Sequence, residues 1–322
     1  MNRLLIVFIV LLLTACANMT PSQSPEWRQA GAHDFGATRL AFSPTMDRLA
    51  SGGYQGEVRL WSLPGGKAQS RHRAHSGTVR GLFFDTPDRL VSAGEDGRLV
   101  LWQTDGWRAL VERKIPAVTS LAGEQGSQLL ISGHQDGSVR LWSRDGLTER
   151  GLRKSASPVL AVAQTKTGSH FAVSYENGEV QLLDENLKNL QRLDAGDRNA
   201  LSLRFSPDGK TLAAGTWFKL VEWDLATGKR KILPTEHLGA IIAIDYSPDG
   251  KQLISLGRHT DANLRLVNSE NGKVQRRLAA HGLCGWYVRY SPDGRYIASA
   301  SEDESIRLYD VNKPYQPQWQ QE

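Results

Sequence analysis

Few groups in this 322-residue chain are suited to covalent or metal chemistry. It carries two cysteines, Cys16 and Cys284, and eight histidines. A structural zinc site needs about four Cys, His or carboxylate ligands at characteristic spacings. His72 and His75 lie close together, but no cysteine or carboxylate cluster accompanies them. No Gly-x-Ser-x-Gly elbow, phosphate-cradling glycine loop or dinucleotide fingerprint occurs. Asp precedes Gly at 96–97, 136–137, 208–209, 249–250 and 293–294. That recurrence marks turns rather than a catalytic carboxylate pair, because Gly accepts φ > 0 at no steric cost. Neither a cofactor nor a metal is expected, and the chain reads as a non-enzyme. Cys284, in His281-Gly282-Leu283-Cys284-Gly285-Trp286, reads as a partly buried, inert thiol, with an oxidisable or intermolecular thiol as the alternative.

Cys16 stands in a different context. Met1-Asn2-Arg3 carries one positive charge, Leu4 to Leu13 is an unbroken apolar run of ten, and Thr14 and Ala15 are small. Ten helical residues cannot cross about 30 Å of hydrocarbon, so the run predicts a secretory signal peptide over residues 1–15. Leu13-Thr14-Ala15-Cys16 resembles the bacterial lipobox, where the signal is cut before the cysteine and the thiol is acylated. The resemblance implies lipidation of Cys16 and anchoring in a membrane. Ala17 follows where inner-membrane lipoproteins carry Asp, which implies the outer membrane, facing the periplasm. A plain signal peptide with a chance cysteine is the alternative. Polar residues 16–25 predict a flexible tether.

The elements behind these residues repeat. Strand-like stretches end in an anchor at Trp61, Trp102, Trp142, Leu183, Trp223, Val267 and Tyr309, with successive spacings of 41, 40, 41, 40, 44 and 42. Each is preceded by a second strand such as RLASGG or RLVSAG. Phe205-Ser206-Pro207-Asp208-Gly209, Tyr246 to Gly250 and Tyr290 to Gly294 supply hairpin turns before those strands, since Pro presets φ and Gly takes φ > 0. A period near 40 with several short strands per unit is a propeller signature. Length alone suggested about two domains; the period makes residues 26–311 one ring, with 312–322 as a polar tail or outer-edge docking segment.

These motifs resemble WD repeats over roughly residues 26–311. The resemblance implies an all-β, seven-bladed WD-type β-propeller with four-stranded blades, preceded by a lipoprotein signal peptide. The last repeat lacks an outer strand, and Glu26 to His33 is placed to supply it. The family's stabilising tetrad maps onto His75, Ser92, Asp96 and Trp102 in repeat 2. Repeat 3 keeps Ser132, Asp136 and Trp142 without a matching His; repeat 7 keeps His281, Ser299 and Asp303 but has Tyr309. These polar residues therefore read as structural. The irregular repeats leave the boundaries of blades 4 and 6 uncertain.

WD propellers present partner-binding turns between their second and third strands. Repeat 5 has Thr216-Trp217-Phe218-Lys219 at this turn, and exposing two large aromatics without a use is costly. The alternative is that they fold over the neighbouring blade. Repeat 6 has a longer turn containing Arg258 and His259, expected beside the turn of repeat 5. First-strand alignment brings Arg80 and Trp286 to the same rim, and Tyr54 joins from its turn. The net charge of +5 arises from Lys and Arg in the fourth-strand stretches, where cations protect sheet edges. Spread around the ring, they form no nucleic-acid stripe.

The expected function is a non-catalytic interaction scaffold in the bacterial envelope, binding proteins or peptides, as a monomeric propeller. Two alternatives stay open: an outer-membrane assembly factor, and a periplasmic enzyme or small-ligand binder using the channel. Convergent channel carboxylates or histidines would favour the latter; an apolar plug would exclude it.

Overall fold

A computed structural model describes residues 19–196, 199–258, 261–314 and 318–321. The predicted signal peptide, Cys16 and His259 lie outside the described residues.

Blade 1 comprises Ala37–Phe42, Arg48–Gly53, Glu57–Ser62 and Ala68–Arg73, joined antiparallel in chain order from the centre outward. Blades 2 to 6 repeat this order, with first strands Val79–Thr86, Val118–Gly123, Val159–Gln164, Ser202–Phe205 and Ile241–Tyr246. Blade 7 has three strands from its own repeat, Gly285–Tyr290, Tyr296–Ser301 and Ile306–Asp310; its fourth is Trp27–Gln29 from the opposite end of the chain. The predicted ring closure is thus made by pairing Trp27 with Leu308 and Gln29 with Ile306.

The core follows from the alternation. Second and third strands are buried on both faces and read as nearly continuous apolar runs, whereas fourth strands alternate exposed and half-buried residues. Seven apolar clusters result, each at the junction of two neighbouring blades, including the junction of blade 7 with blade 1. Seven junctions for seven blades is the condition for a closed ring. The anchors Trp61, Trp223 and Tyr309 are completely buried, each contributing about 2–3 kcal/mol through area removed from water.

One expectation needs correction. Residues 16–25 do not form a free tether throughout: Met19–Ser22 pairs antiparallel with Gln318–Gln321. Ser22 and Gln23 are buried, and Gln23 donates its N–H to the Arg277 carbonyl at 2.7 Å and accepts from Ala279 at 2.8 Å. Polar side chains do not prevent a segment from docking when a blade's outer edge offers unpaired backbone groups.

Candidate functional site: the upper rim and the histidine relays

Within each blade the first strand begins where the second ends, so first-strand starts and second-to-third-strand turns share one face, termed the upper rim. In six first strands the register slips by one residue near this end, leaving Thr38, Arg80, Thr119, Leu160, Ile242 and Trp286 as unpaired bulge residues. A bulge re-aims the side chain of its extra residue.

Just behind the rim lie buried polar relays. In blade 2 the Trp102 indole donates to Ser92 Oγ at 2.8 Å, Ser92 Oγ meets His75 Nε2 at 2.7 Å, and His75 Nδ1 meets Asp96 Oδ1 at 2.9 Å. Ser92 already accepts from the indole, so its own proton goes to Nε2 and Nδ1–H donates to the carboxylate. Asp96 also accepts the Ser76 N–H at 2.9 Å, and its pKa is lowered because these bonds outweigh burial. Blade 7 repeats the His–Ser–Asp part with His281, Ser299 and Asp303, while the Tyr309 hydroxyl donates instead to the Ala279 carbonyl at 2.9 Å.

Two relays depart from the expected spacing. Blade 3 obtains its histidine from His134 at the end of the second strand: Nε2 meets Ser132 Oγ at 2.8 Å and Nδ1 donates to the Pro116 carbonyl at 2.9 Å. Blade 6 holds Asp261, from the long turn, against His237 at 2.6 Å and Arg265 at 2.9 Å. That turn is therefore partly structural.

The rim residues form two groups. Arg258 stacks 3.9 Å over the Trp286 ring and donates to Glu302 Oε1 at 3.2 Å; Tyr54 meets Trp286 edge-on at 5.4 Å. One cluster thereby spans blades 6, 7 and 1. Arg80 is held by Glu95 at 2.7 Å, and both lie within electrostatic reach of Tyr54. In blade 5, Trp217 bridges Ala240 of the next blade, and the Phe218 N–H donates to the Gly239 carbonyl at 2.9 Å. The expected neighbour contact thus exists through the backbone, leaving Trp217 half-buried and Phe218 45% exposed. Arg258 donates its N–H to the same Ala240 at 2.8 Å, so the turns of blades 5 and 6 do adjoin. Phe218 stands where blades 1 to 4 put the turn glycine and blade 7 puts Glu304, and it has φ +68°, uncommon for a side chain of this size.

Sequence reasoning missed three rim residues. Phe35, Leu238 and Leu283 are 70%, 71% and 56% exposed, and each follows a relay histidine by one or two positions. Blade 2 has Ser76 and Gly77 at the same place. An apolar residue just after the repeat histidine was the signal available. With Phe218 they mark an apolar arc running from blade 5 through blades 6 and 7 to blade 1.

The central channel encloses about 430 Å³. Its carboxylates are spoken for: Arg204 binds Asp245 at 2.6 Å and Glu124 at 2.8 Å, crossing from blade 5 to blades 6 and 3. Burial disfavours that guanidinium's charge, but the two carboxylates outweigh it and raise its pKa. Arg39 spans blades through the Arg80 and Thr119 carbonyls, and burial followed by Arg80 lowers its pKa to about 10. The channel is neither an apolar plug nor a pair of free carboxylates: it is cross-braced by arginine.

A family model described as the IFT122 first beta-propeller matches residues 37–310. Periodic tryptophan protein 2 of Arabidopsis thaliana is 24% identical over 92% of this chain and 32% of its own length. The WD repeat-containing protein WDS homolog of the same plant is 26% identical over 62% of this chain and 39% of its own length. Transcription initiation factor TFIID subunit 5 of Caenorhabditis elegans is 25% identical over 58% of this chain and 29% of its own length. The chain thus spans about a third of the length of these relatives. Blade count, repeat chemistry and the matched span agree: this WD-repeat, seven-bladed propeller belongs to the IFT122 first beta-propeller family.

Proposed function

We propose that this protein is a non-catalytic binding platform, a lipoprotein anchored through Cys16 in the bacterial outer membrane, facing the periplasm, that holds partner proteins or peptides on the upper-rim arc from blade 5 to blade 1. The observation that carries the reading is the apolar arc of Phe218, Leu238, Leu283 and Phe35 beside the Trp286–Arg258–Tyr54 stack. Scattered exposed apolar residues are ordinary, but four of the seven large apolar residues exposed among the described residues lie on this one rim, which supports an interaction surface. Trp and Tyr anchors with an Arg are the residues that dominate protein interfaces. The Trp286 indole nitrogen is buried and has no hydrogen-bond partner among the described residues, leaving a donor for an incoming acceptor. Phe218 in a left-handed conformation costs about 1–2 kcal/mol relative to Gly, so replacing it with Gly should not destabilise the turn. The subunit title of one relative supports protein partners. The anchor is supported by the residues around Cys16.

Cross-linking in intact envelopes tests both parts. Phe218→Gly with Leu238→Ser should preserve or raise Tm and weaken partner capture by roughly thirtyfold or more, as loss of a hot spot does. Cys16→Ser should move the chain from the membrane to the soluble fraction. Unchanged capture by the rim variant refutes the rim; unchanged fractionation of Cys16→Ser refutes the anchor.

A further inference from the structure

Blade 1 contains a relay that its own sequence leaves incomplete. The Trp61 indole donates to Ser51 Oγ at 2.8 Å, and Ser51 Oγ meets His33 Nε2 at 2.7 Å. By the proton count used for blade 2, His33 Nδ1 carries its hydrogen and must donate. In blades 2, 6 and 7 an Asp carboxylate accepts it, and the same carboxylate accepts the N–H of the residue after the histidine, at 2.9, 2.8 and 2.9 Å. In blade 3 a carbonyl accepts it.

The position equivalent to Asp96 in blade 1 is Gln55, which is exposed and makes no hydrogen bond to His33. His33 is 1% exposed, and its Nδ1 has no hydrogen-bond partner among the described residues. The N–H of Asp34, the second donor of the pair, makes no bond there either. Glu57 lies nearest, at 3.8 Å, but its Oε2 is held by Arg59 Nε and Nη2, each at 2.7 Å. Burial and then Arg59 lower the His33 pKa to about 3, so the ring is neutral and offers this one hydrogen.

His33, together with Gln55, lines a cleft of about 180 Å³ on the upper outer part of the blade. Arg59, Arg71 and Arg73 line it, against the carboxylates of Asp34 and Glu57. Arg59 and Arg71 stand directly opposite each other across two strands, and Glu57 lies against both, 2.7 Å from Arg59 and 4.0 Å from Arg71, so the like-charge pair is only partly compensated within the fold. Arg73 has no ion pair among the described residues, and Arg71 is mostly exposed, 4.0 Å from Glu57.

We propose that this cleft binds a carboxylate supplied from outside the fold, which accepts from His33 Nδ1 and the Asp34 N–H as Asp96 does in blade 2, with Arg71 and Arg73 balancing its charge. An aspartate-like group on a ligand or partner meets that requirement. The site shares no residue with the apolar arc, although Asp34 directly precedes Phe35, and it is tested independently of the arc.

The test titrates isotope-labelled full chain with N-acetyl-aspartate amide, and separately with inorganic phosphate, following the Trp61 and Trp102 indole N–H signals by NMR. A saturable shift at Trp61 with Trp102 unmoved is expected. Gln55→Asp should supply the carboxylate internally, abolish that shift and raise Tm by about 2–4 °C. Arg73→Ala, at an exposed site, should keep Tm and weaken binding roughly tenfold. Phe218→Gly should leave the titration unchanged. The proposal is overturned if Trp61 does not respond to the aspartate derivative, if phosphate binds more tightly, or if both Gln55→Asp and Arg73→Ala titrate as the wild type does.

Discussion

Ser92 shows how much can rest on one hydroxyl. It is the acceptor for a buried indole and the donor to a buried imidazole, so replacing it strands both groups at once. Each stranded group costs about 1–3 kcal/mol, and Ser92→Ala should destabilise the protein by roughly 2–5 kcal/mol, read as a lower urea midpoint with unchanged m-value. The relay also explains a neighbour. A Cβ on Gly94 would lie 2.5 Å from His75 Nδ1 and 2.6 Å from Asp96 Oδ1, so this position is glycine because the His–Asp bond occupies the space. Blade 4 dispenses with the relay altogether. Val173, Phe171 and the anchor Leu183 pack apolar to apolar in its place.

At the scale of elements, the three-residue strand Trp27–Gln29 carries a disproportionate share of the ring's cohesion. Trp27 packs 6.5 Å from Trp61 and so ties the last blade to the first. Trp27→Ala should cost about 2–4 kcal/mol and, in hydrogen exchange, lower protection of Ile306–Asp310 well before that of blades 3 and 4. Uniform loss of protection around the ring would contradict this local role for the strand. Such elements differ in how plainly the sequence announces them. The blades were legible because Pro-Asp-Gly turns and spaced aromatic anchors are local signals, each set by a single hairpin. The closing strand was legible only because the last repeat lacked a partner. Docking of residues 19–23 was not, since backbone pairing with a distant edge leaves no mark on side-chain pattern. His134 and Asp261 also escaped: a relay needs ring atoms in one place, and different backbone positions can deliver them. Among candidate site residues, strand alignment brought Arg80 and Trp286 to one rim with Tyr54 from its turn. The stacking of Arg258 on Trp286 joins different blades and left no local mark, and Phe35, Leu238 and Leu283 sit in loops whose exposure no periodicity reports.

Over the whole molecule, the buried histidines make stability depend on acidity. His33 titrates near 3, and His134, His237 and His281 are lowered chiefly by burial. An unfolded histidine takes a proton near pH 6.5 while the folded one does not, so their stabilisation is complete above about 6.5 and is lost as pH falls towards their folded values. Each contributes up to about 1.4 kcal/mol per pH unit in that window. Against the opposing effect of burial, Asp261 is depressed by His237 and Arg265, and Asp303 by His281, Ser305 and the Gly282 N–H, so their stabilisation holds above the ordinary carboxylate range and fails below it. Urea midpoints should be level between pH 7 and 8 and drop steeply from 6.5 to 5; a level profile to pH 5 would mean these rings are protonated in the fold. The pairing of Met19–Ser22 with Gln318–Gln321 has a mechanical consequence as well. If the lipid sits on Cys16, only three peptide steps separate it from the first docked residue, about 10–11 Å when fully stretched. Under the proposed anchoring, so short a leash would keep the wheel from drifting into the surrounding space. It would ride close against the bilayer with blade 6 lowermost, and a partner would have to approach along the membrane plane.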